Sequence, residues 1–212
     1  EFARQVGKHL EAILKEYMKR WPLDSSMDET TGKIETVLER FTVKIFKTNE
    51  EFNSYAAANG VGGAAAYFSP MQNELVGYKT TDQGKEKTFH IMYHEASHQY
   101  LHMYMGREVD LPIWLNEGVA EYFYGGEFKP DGSFRIEENK DRISDIKEAI
   151  RVGTYVPLKD IFQYSQAQYY SNAGICYAEG WSIAYFLWTT KDPKYAGRLD
   201  KFRIALPVKG RY

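Results

Sequence analysis

The stretch His94-Glu95-Ala96-Ser97-His98 lies inside a run that predicts a helix over roughly Lys85 to Met105. On a helix, residues four apart share one face, with Cβ atoms about 5–6 Å apart. His94 and His98 can therefore present two imidazole nitrogens to one ion, and tetrahedral zinc accepts such nitrogens at about 2.0–2.1 Å. Glu95 lies about 100° round the helix from His94, beside the ion rather than on it. A carboxylate there can take a proton from a zinc-bound water.

A second stretch, Trp114-Leu115-Asn116-Glu117-Gly118-Val119-Ala120-Glu121-Tyr122, reads as the next helix. Catalytic zinc needs a third protein ligand and an open position, and Glu117 stands nineteen positions after His98. Glu121 shares a face with Glu117 and can accept a hydrogen bond from a ligand histidine, unless it is a surface carboxylate. Asn116 is a candidate for the same role or for substrate contact. The alternative for both stretches together is a pair of helices with two unrelated histidines.

The two stretches together resemble the gluzincin metallopeptidases, with the spacing of the aminopeptidase N family. They are also similar to small uncharacterised peptidase-MA-like domains, which share the W-L-N-E-G-x-A-E-Y motif. The resemblance covers roughly Gly62 to Trp188. It implies that His94, His98 and Glu117 bind zinc and that Glu95 is the general base.

Two further segments bear on what the resemblance implies. Tyr177-Ala178-Glu179-Gly180 resembles the Y-x-x-G start of a helix in the aminopeptidase N family, which implies that the Tyr177 hydroxyl stabilises the oxyanion. A core or rim role for Tyr177 is the alternative. The G-x-M-E-N motif, whose glutamate holds the substrate amino terminus in that family, is absent, and Glu74 lies near its place but out of pattern. The choice between endopeptidase and exopeptidase therefore stays open.

Hydrophobic patterning predicts both helices and strands, hence an α+β protein, and the resemblance implies a short mixed sheet and a helical lobe with the H-E-x-x-H helix between them. The 212 residues allow a single gluzincin-like domain over 1–212, with an N-terminal helix at 1–21, a sheet-containing lobe at about 33–110 and a helical lobe at about 111–212. Ala64 to Ser69 and Glu74 to Lys79 read as strands, forming either an ordinary hairpin or an edge that pairs with substrate backbone. Gln163 to Asn172 reads as a connection or a substrate-contacting loop, and His90 and His102 as polar residues that flank the ligands.

Composition limits the partners. A net charge of −2 gives no electrostatic footprint for nucleic acid, and no apolar run approaches the roughly 18–20 residues of a membrane span. The single Cys176 excludes an internal disulfide and a CxxC zinc site. No signal-peptide pattern stands at the start, and the absence of disulfides fits the cytosol. The resembling small domains are often exported, which slightly favours a secreted or periplasmic location over a cytoplasmic one.

The sequence thus predicts a zinc-dependent peptidase with one Zn²⁺ ion and a peptide or protein substrate. His94, His98 and Glu117 hold the ion, Glu95 removes the proton of the activated water, and zinc and Tyr177 share the oxyanion charge. One alternative is an aminopeptidase-type exopeptidase. The other is a non-catalytic zinc-containing binding module, which would not need Glu95.

Overall fold

The structure is a computed structural model and describes residues 1–22, 26–27, 34–35, 42–79, 84–105 and 111–205. Helices and short strands alternate in the first half of this part of the chain, and helices dominate the second. In chain order the elements are α1 (Phe2–Arg20), β1 (Ser26–Met27), β2 (Ile34–Glu35), β3 (Thr42–Phe46), α2 (Asn49–Ala58), β4 (Ala66–Ser69), β5 (Glu74–Tyr78), α3 (Gly84–Met105), α4 (Ile113–Tyr124), β6 (Gly126–Phe128), β7 (Phe134–Ile136), α5 (Lys140–Val152), α6 (Leu158–Ile161), α7 (Gln166–Ser171), α8 (Ala173–Thr189) and α9 (Arg198–Ala205).

The main sheet has three strands in the order β3-β5-β4. β4 and β5 form an antiparallel hairpin in which Phe68 lies opposite Leu75, whereas β3 runs parallel to β5. A parallel pair needs a crossover, and α2 lies within that crossover. Thr48 and Glu51 begin α2 with a reciprocal capping box, which satisfies two otherwise unpaired backbone N–H groups. The predicted α+β class with a short mixed sheet is confirmed.

Helix α3 lies between this sheet and the helices. It contacts β4 and β5 on one side and α1 and α4 on the other. Its buried residues, among them Met92, Tyr93 and Tyr100, join the largest apolar cluster of the described residues. The Tyr17 hydroxyl of α1 donates a hydrogen bond of 2.6 Å to the Tyr93 carbonyl oxygen, which fixes α1 against α3. The helix that carries the two histidines is therefore held from both sides.

Helices α4 and α8 pack with their backbones close together. A Cβ atom on Gly118 of α4 would lie within 3.0 Å of the carbonyl carbon and oxygen of Gly180 of α8. Glycine at both positions is what lets the two helices approach this closely. Helix α5 packs on the same helix α8. The second half of the described chain is thus built around α8.

Most predicted elements are confirmed, with boundaries shifted by one to three residues. The exception is Gln163 to Asn172, which is not simply a connection: it contains α7, begun by a capping box between Ser165 and Gln168. Glycine often ends a helix and aspartate often caps one, so the sequence predicts a helix end at Gly106 and a helix cap at Asp110. Both positions lie outside the described residues. Among the residues that are described, none of the helices combines the length and apolarity required to cross a bilayer.

Candidate metal centre

Three side-chain donor atoms face one another where α3 meets α4. The Nε2 atoms of His94 and His98 lie 3.1 Å apart, and the Glu117 Oε2 atom lies 3.3 Å from the first and 3.5 Å from the second. Glu117 is buried, with 3% of its surface exposed. The structure therefore brings together the three predicted ligands, close enough to hold one metal ion.

The distances between the three donor atoms and the lack of a hydrogen bond to Glu117 Oε2 among the described residues both fit a bound cation. Ligand atoms about 2.0–2.1 Å from a tetrahedral centre lie about 3.3–3.4 Å from one another, which is close to the three separations observed. The buried Glu117 Oε2 atom accepts no hydrogen bond from any described residue. A buried carboxylate oxygen without a partner is costly, and a cation between the three donors would remove that cost.

Both histidine rings are oriented through their other nitrogen. The His94 Nδ1 atom lies 3.2 Å from Glu121 Oε1, and the His98 Nδ1 atom lies 3.0 Å from Asn116 Oδ1. Because each acceptor can take the Nδ1 proton, a neutral ring keeps its Nε2 lone pair on the side of Glu117, where a cation could be bound. Glu121 and Asn116 thus each lie against one histidine, a contact that the sequence prediction gave for Glu121 and as one of two possibilities for Asn116.

Burial and charge act against each other in this cluster. Burial disfavours the charged imidazolium, but the carboxylates beside the rings prevail and raise the pKa of His94 and of His98. Burial likewise disfavours the Glu117 carboxylate, yet the two histidines hold the pKa of Glu117 well below its usual range. In the absence of a cation the cluster retains protons that a bound metal would displace.

Glu95 lies beside the donor set without joining it. The Phe68 backbone N–H on strand β4 donates a hydrogen bond of 3.1 Å to Glu95 Oε2. Burial raises the pKa of the Glu95 carboxyl, which is the direction that makes a carboxylate a better base near neutral pH. One carboxylate therefore faces the same space as the ligands and is held by the sheet.

Two tyrosines complete the surroundings of Glu117. The Tyr170 hydroxyl on α7 donates a hydrogen bond of 2.6 Å to Glu117 Oε1, which leaves the other oxygen of that carboxylate, Oε2, facing the two histidines. The Tyr177 ring lies 6.1 Å from the His94 ring, and its hydroxyl forms no hydrogen bond with any residue that the structure describes. Burial and the Glu117 charge raise the pKa of both tyrosines, so both hydroxyls remain protonated donors at neutral pH.

A cleft of about 900 Å³ opens over the donor atoms. Strand β4, at the edge of the sheet, supplies one wall, and residues near the start of α4 and around α7 supply the other. His94, Glu95, His98, Glu117, Tyr170 and Tyr177 all line it. Such an open, mostly preformed concavity over reactive groups is the usual form of a small-molecule or peptide site.

His90 and His102 lie near the three donor atoms but have other contacts, and two residues that were not predicted, Tyr170 and Arg142, contact the site. The His90 Nδ1 atom lies 2.7 Å from the Tyr124 carbonyl oxygen, and His102 lines the cleft near the Phe68 ring. Neither belongs to the donor set, as the sequence reasoning expected. That reasoning missed Tyr170 and Arg142, which contact Glu117 and Glu121. The Ser165–Gln168 capping box was a signal for α7 and hence for Tyr170, whereas no local pattern marks Arg142.

Residues 89–209, more than half of the chain, match a family described as protein of unknown function, DUF1570. The chain belongs to the DUF1570 family. No curated protein and no solved structure matches it. The DUF1570 match includes every ligand candidate together with Glu95 and Tyr177. The cleft wall contributed by β4 lies before the first matched residue.

Proposed function

We propose that the protein is a zinc-dependent peptidase of the gluzincin type. The observation that carries this proposal is the coincidence, in one open cleft, of three mutually facing donor atoms with the Glu95 carboxylate beside them. Two imidazoles and one carboxylate suit zinc, whereas magnesium and calcium prefer oxygen ligands throughout. His94, His98 and Glu117 would hold the ion.

The chemistry divides between the ion and the side chains. Zinc, when bound, supplies a Lewis acid that activates water and polarises a carbonyl group. Glu95 takes the proton of the attacking water and passes it to the leaving nitrogen of the scissile bond. The Tyr177 hydroxyl, which has no other partner among the described residues, donates a hydrogen bond to the oxyanion as charge develops there.

The cleft favours cleavage inside a peptide rather than at its amino terminus. Among the described residues that line the cleft, Glu95 and Glu117 are the only carboxylates, and both already have partners. Glu74 does not line it: its carboxylate lies 2.6 Å from the Lys44 ammonium and accepts a hydrogen bond from Tyr55. No carboxylate of this lining set is therefore available to hold a free substrate ammonium. The edge of β4 is the segment that would pair with an extended substrate.

The test measures metal content and hydrolysis separately. We expect about one zinc per chain in the purified protein, and cleavage of unstructured protein or of peptides blocked at their amino termini. Glu95→Gln should keep the zinc and lower kcat by about 10²–10⁴-fold, since it removes only the general base. Glu11→Gln, an exposed change on α1, is the matched control.

Each outcome separates the alternatives. Zinc content near zero in a folded sample would overturn the proposal. Faster cleavage of free than of blocked amino termini would favour the aminopeptidase. Zinc without any hydrolysis, and no effect of Glu95→Gln, would favour a zinc-containing binding module.

A further inference from the structure

Arg142, on helix α5, contacts the group that orients a predicted zinc ligand. Its Nε atom donates a hydrogen bond of 2.7 Å to Glu121 Oε2. The other oxygen of the same carboxylate, Oε1, lies 3.2 Å from His94 Nδ1. Glu121 is 3% exposed, so its charge is balanced within the protein rather than by water. A chain of contacts therefore runs from Arg142 through Glu121 to His94.

The local sequence fixes where Arg142 stands. Asn139 caps α5, and its side-chain oxygen accepts a hydrogen bond of 3.2 Å from the Arg142 backbone N–H. The Arg142 Nη1 atom lies 3.3 Å from Asp145 Oδ2, and the guanidinium carbon lies 5.5 Å from the centre of the Tyr177 ring. The guanidinium is thus held by groups on α4, α5 and α8, with only 23% of the side chain exposed.

Loss of Arg142 would leave a buried carboxylate with one partner fewer. Removing one member of a buried charged pair strongly destabilises a protein, because the other charge stays buried without a partner. Glu121 would relieve that cost by turning towards water, and that movement weakens its hydrogen bond with His94. A ligand histidine without a carboxylate partner is less basic and its ring is freer to rotate.

We infer that Arg142 is a positioning residue for the metal centre, which holds Glu121 in place and through it the ring of His94. This inference rests on the proposed zinc site but not on peptidase activity. Arg142 touches neither the donor atoms nor the space above them: it is not among the residues that line the cleft. The contact that links Arg142 to the donor set is the one with Glu121.

The experiment uses Arg142→Met and Arg142→Lys, with Arg151→Met as the control. Arg151 lies on the same helix with 69% of its side chain exposed and pairs only with Glu148 among the described residues. The readouts are zinc affinity, measured by competition with a chelator, and the visible absorption of the Co²⁺-substituted protein, which responds to ligand geometry. Circular dichroism checks that each variant is folded.

We expect Arg142→Met to weaken zinc binding by about 10–100-fold and to change the cobalt spectrum. Arg142→Lys, which restores a cation, should lose less, and Arg151→Met should match the wild type. The combination of Glu121→Gln with Arg142→Met should bind zinc no more weakly than Glu121→Gln alone, because both act on the same contact.

The inference is overturned if Arg142→Met and Arg142→Lys both retain wild-type affinity and spectrum, or if the losses add in the double variant. If Arg142→Met does not fold, Arg142→Lys takes its place. Its zinc affinity is then compared with that of Glu121→Gln and of the two changes combined, and the same criteria apply. A wild-type protein that binds neither zinc nor cobalt would overturn this inference together with the proposed function, whereas normal binding that is indifferent to Arg142 would overturn this inference alone.

Discussion

Replacing Gly118 by alanine tests the close packing of α4 on α8. A methyl group there would lie within 3.0 Å of the Gly180 carbonyl carbon and oxygen. Those atoms belong to the backbone of α8, so no rotamer change can relieve the clash and α4 must move away from α8. Overpacking of this kind costs about 1–3 kcal/mol, against which the alanine gains about 0.5–1 kcal/mol of helix preference. We expect a net loss of about 1 kcal/mol, within a range of about 0–2.5 kcal/mol.

Gly174 provides the matched control on α8 itself. Its added Cβ atom would meet nothing within 4 Å, so Gly174→Ala should stabilise the protein by about 0.4–1 kcal/mol. Urea denaturation of metal-free samples measures both variants, since bound zinc would add its own stabilisation to the folded state. If Gly118→Ala is as stable as Gly174→Ala, the described packing of α4 on α8 is wrong.

The other predictions concern three side chains near α8. Tyr177→Phe should keep zinc affinity and lower kcat by about 10²–10³-fold. Tyr170→Phe should weaken zinc binding by about 10-fold, because of the two tyrosines only Tyr170 bonds to a predicted ligand carboxylate. Equal effects of the two changes on zinc affinity would contradict these different roles. Burial raises the pKa of Glu179, so its carboxyl favours the folded state most at low pH and loses that advantage as pH rises through its folded pKa. The free energy of unfolding of Glu179→Gln, relative to wild type, should therefore increase between about pH 4 and pH 7.5 in urea titrations. If that difference in free energy does not change with pH, the pKa of Glu179 is not raised in the folded protein.

The helices of the site were predictable because their signals are local. The periodicity of α3 and the motif spacing placed His94, His98 and Glu117 on facing helices, and the structure has α3 at Gly84–Met105 against the predicted Lys85 to Met105. The four-residue spacing between Glu117 and Glu121 predicted a contact of Glu121 with one of the two histidines, and in the structure that histidine is His94. Helical geometry and the ligand preferences of zinc supported these predictions, and the resemblance to gluzincins selected Glu117 as the third ligand.

The contacts that were missed depend on long-range packing. Arg142 reaches Glu121 because α5 packs on α8, and no spacing within either helix encodes that arrangement. The bond from Phe68 to Glu95 is made by a backbone N–H group, which every residue except proline has, so the sequence carries no mark of it. The parallel pairing of β3 with β5 is equally invisible in the strands themselves.

The position of all three donor atoms on two successive helices has a consequence for how the centre assembles. Only a short connection separates α3 from α4, so closing it costs little chain entropy. The contact between these two helices is therefore enough to bring the three donor atoms together. Helices α5, α7 and α8 supply Arg142, Tyr170 and Tyr177 around them, so the donor set is local in the chain whereas its surroundings are not.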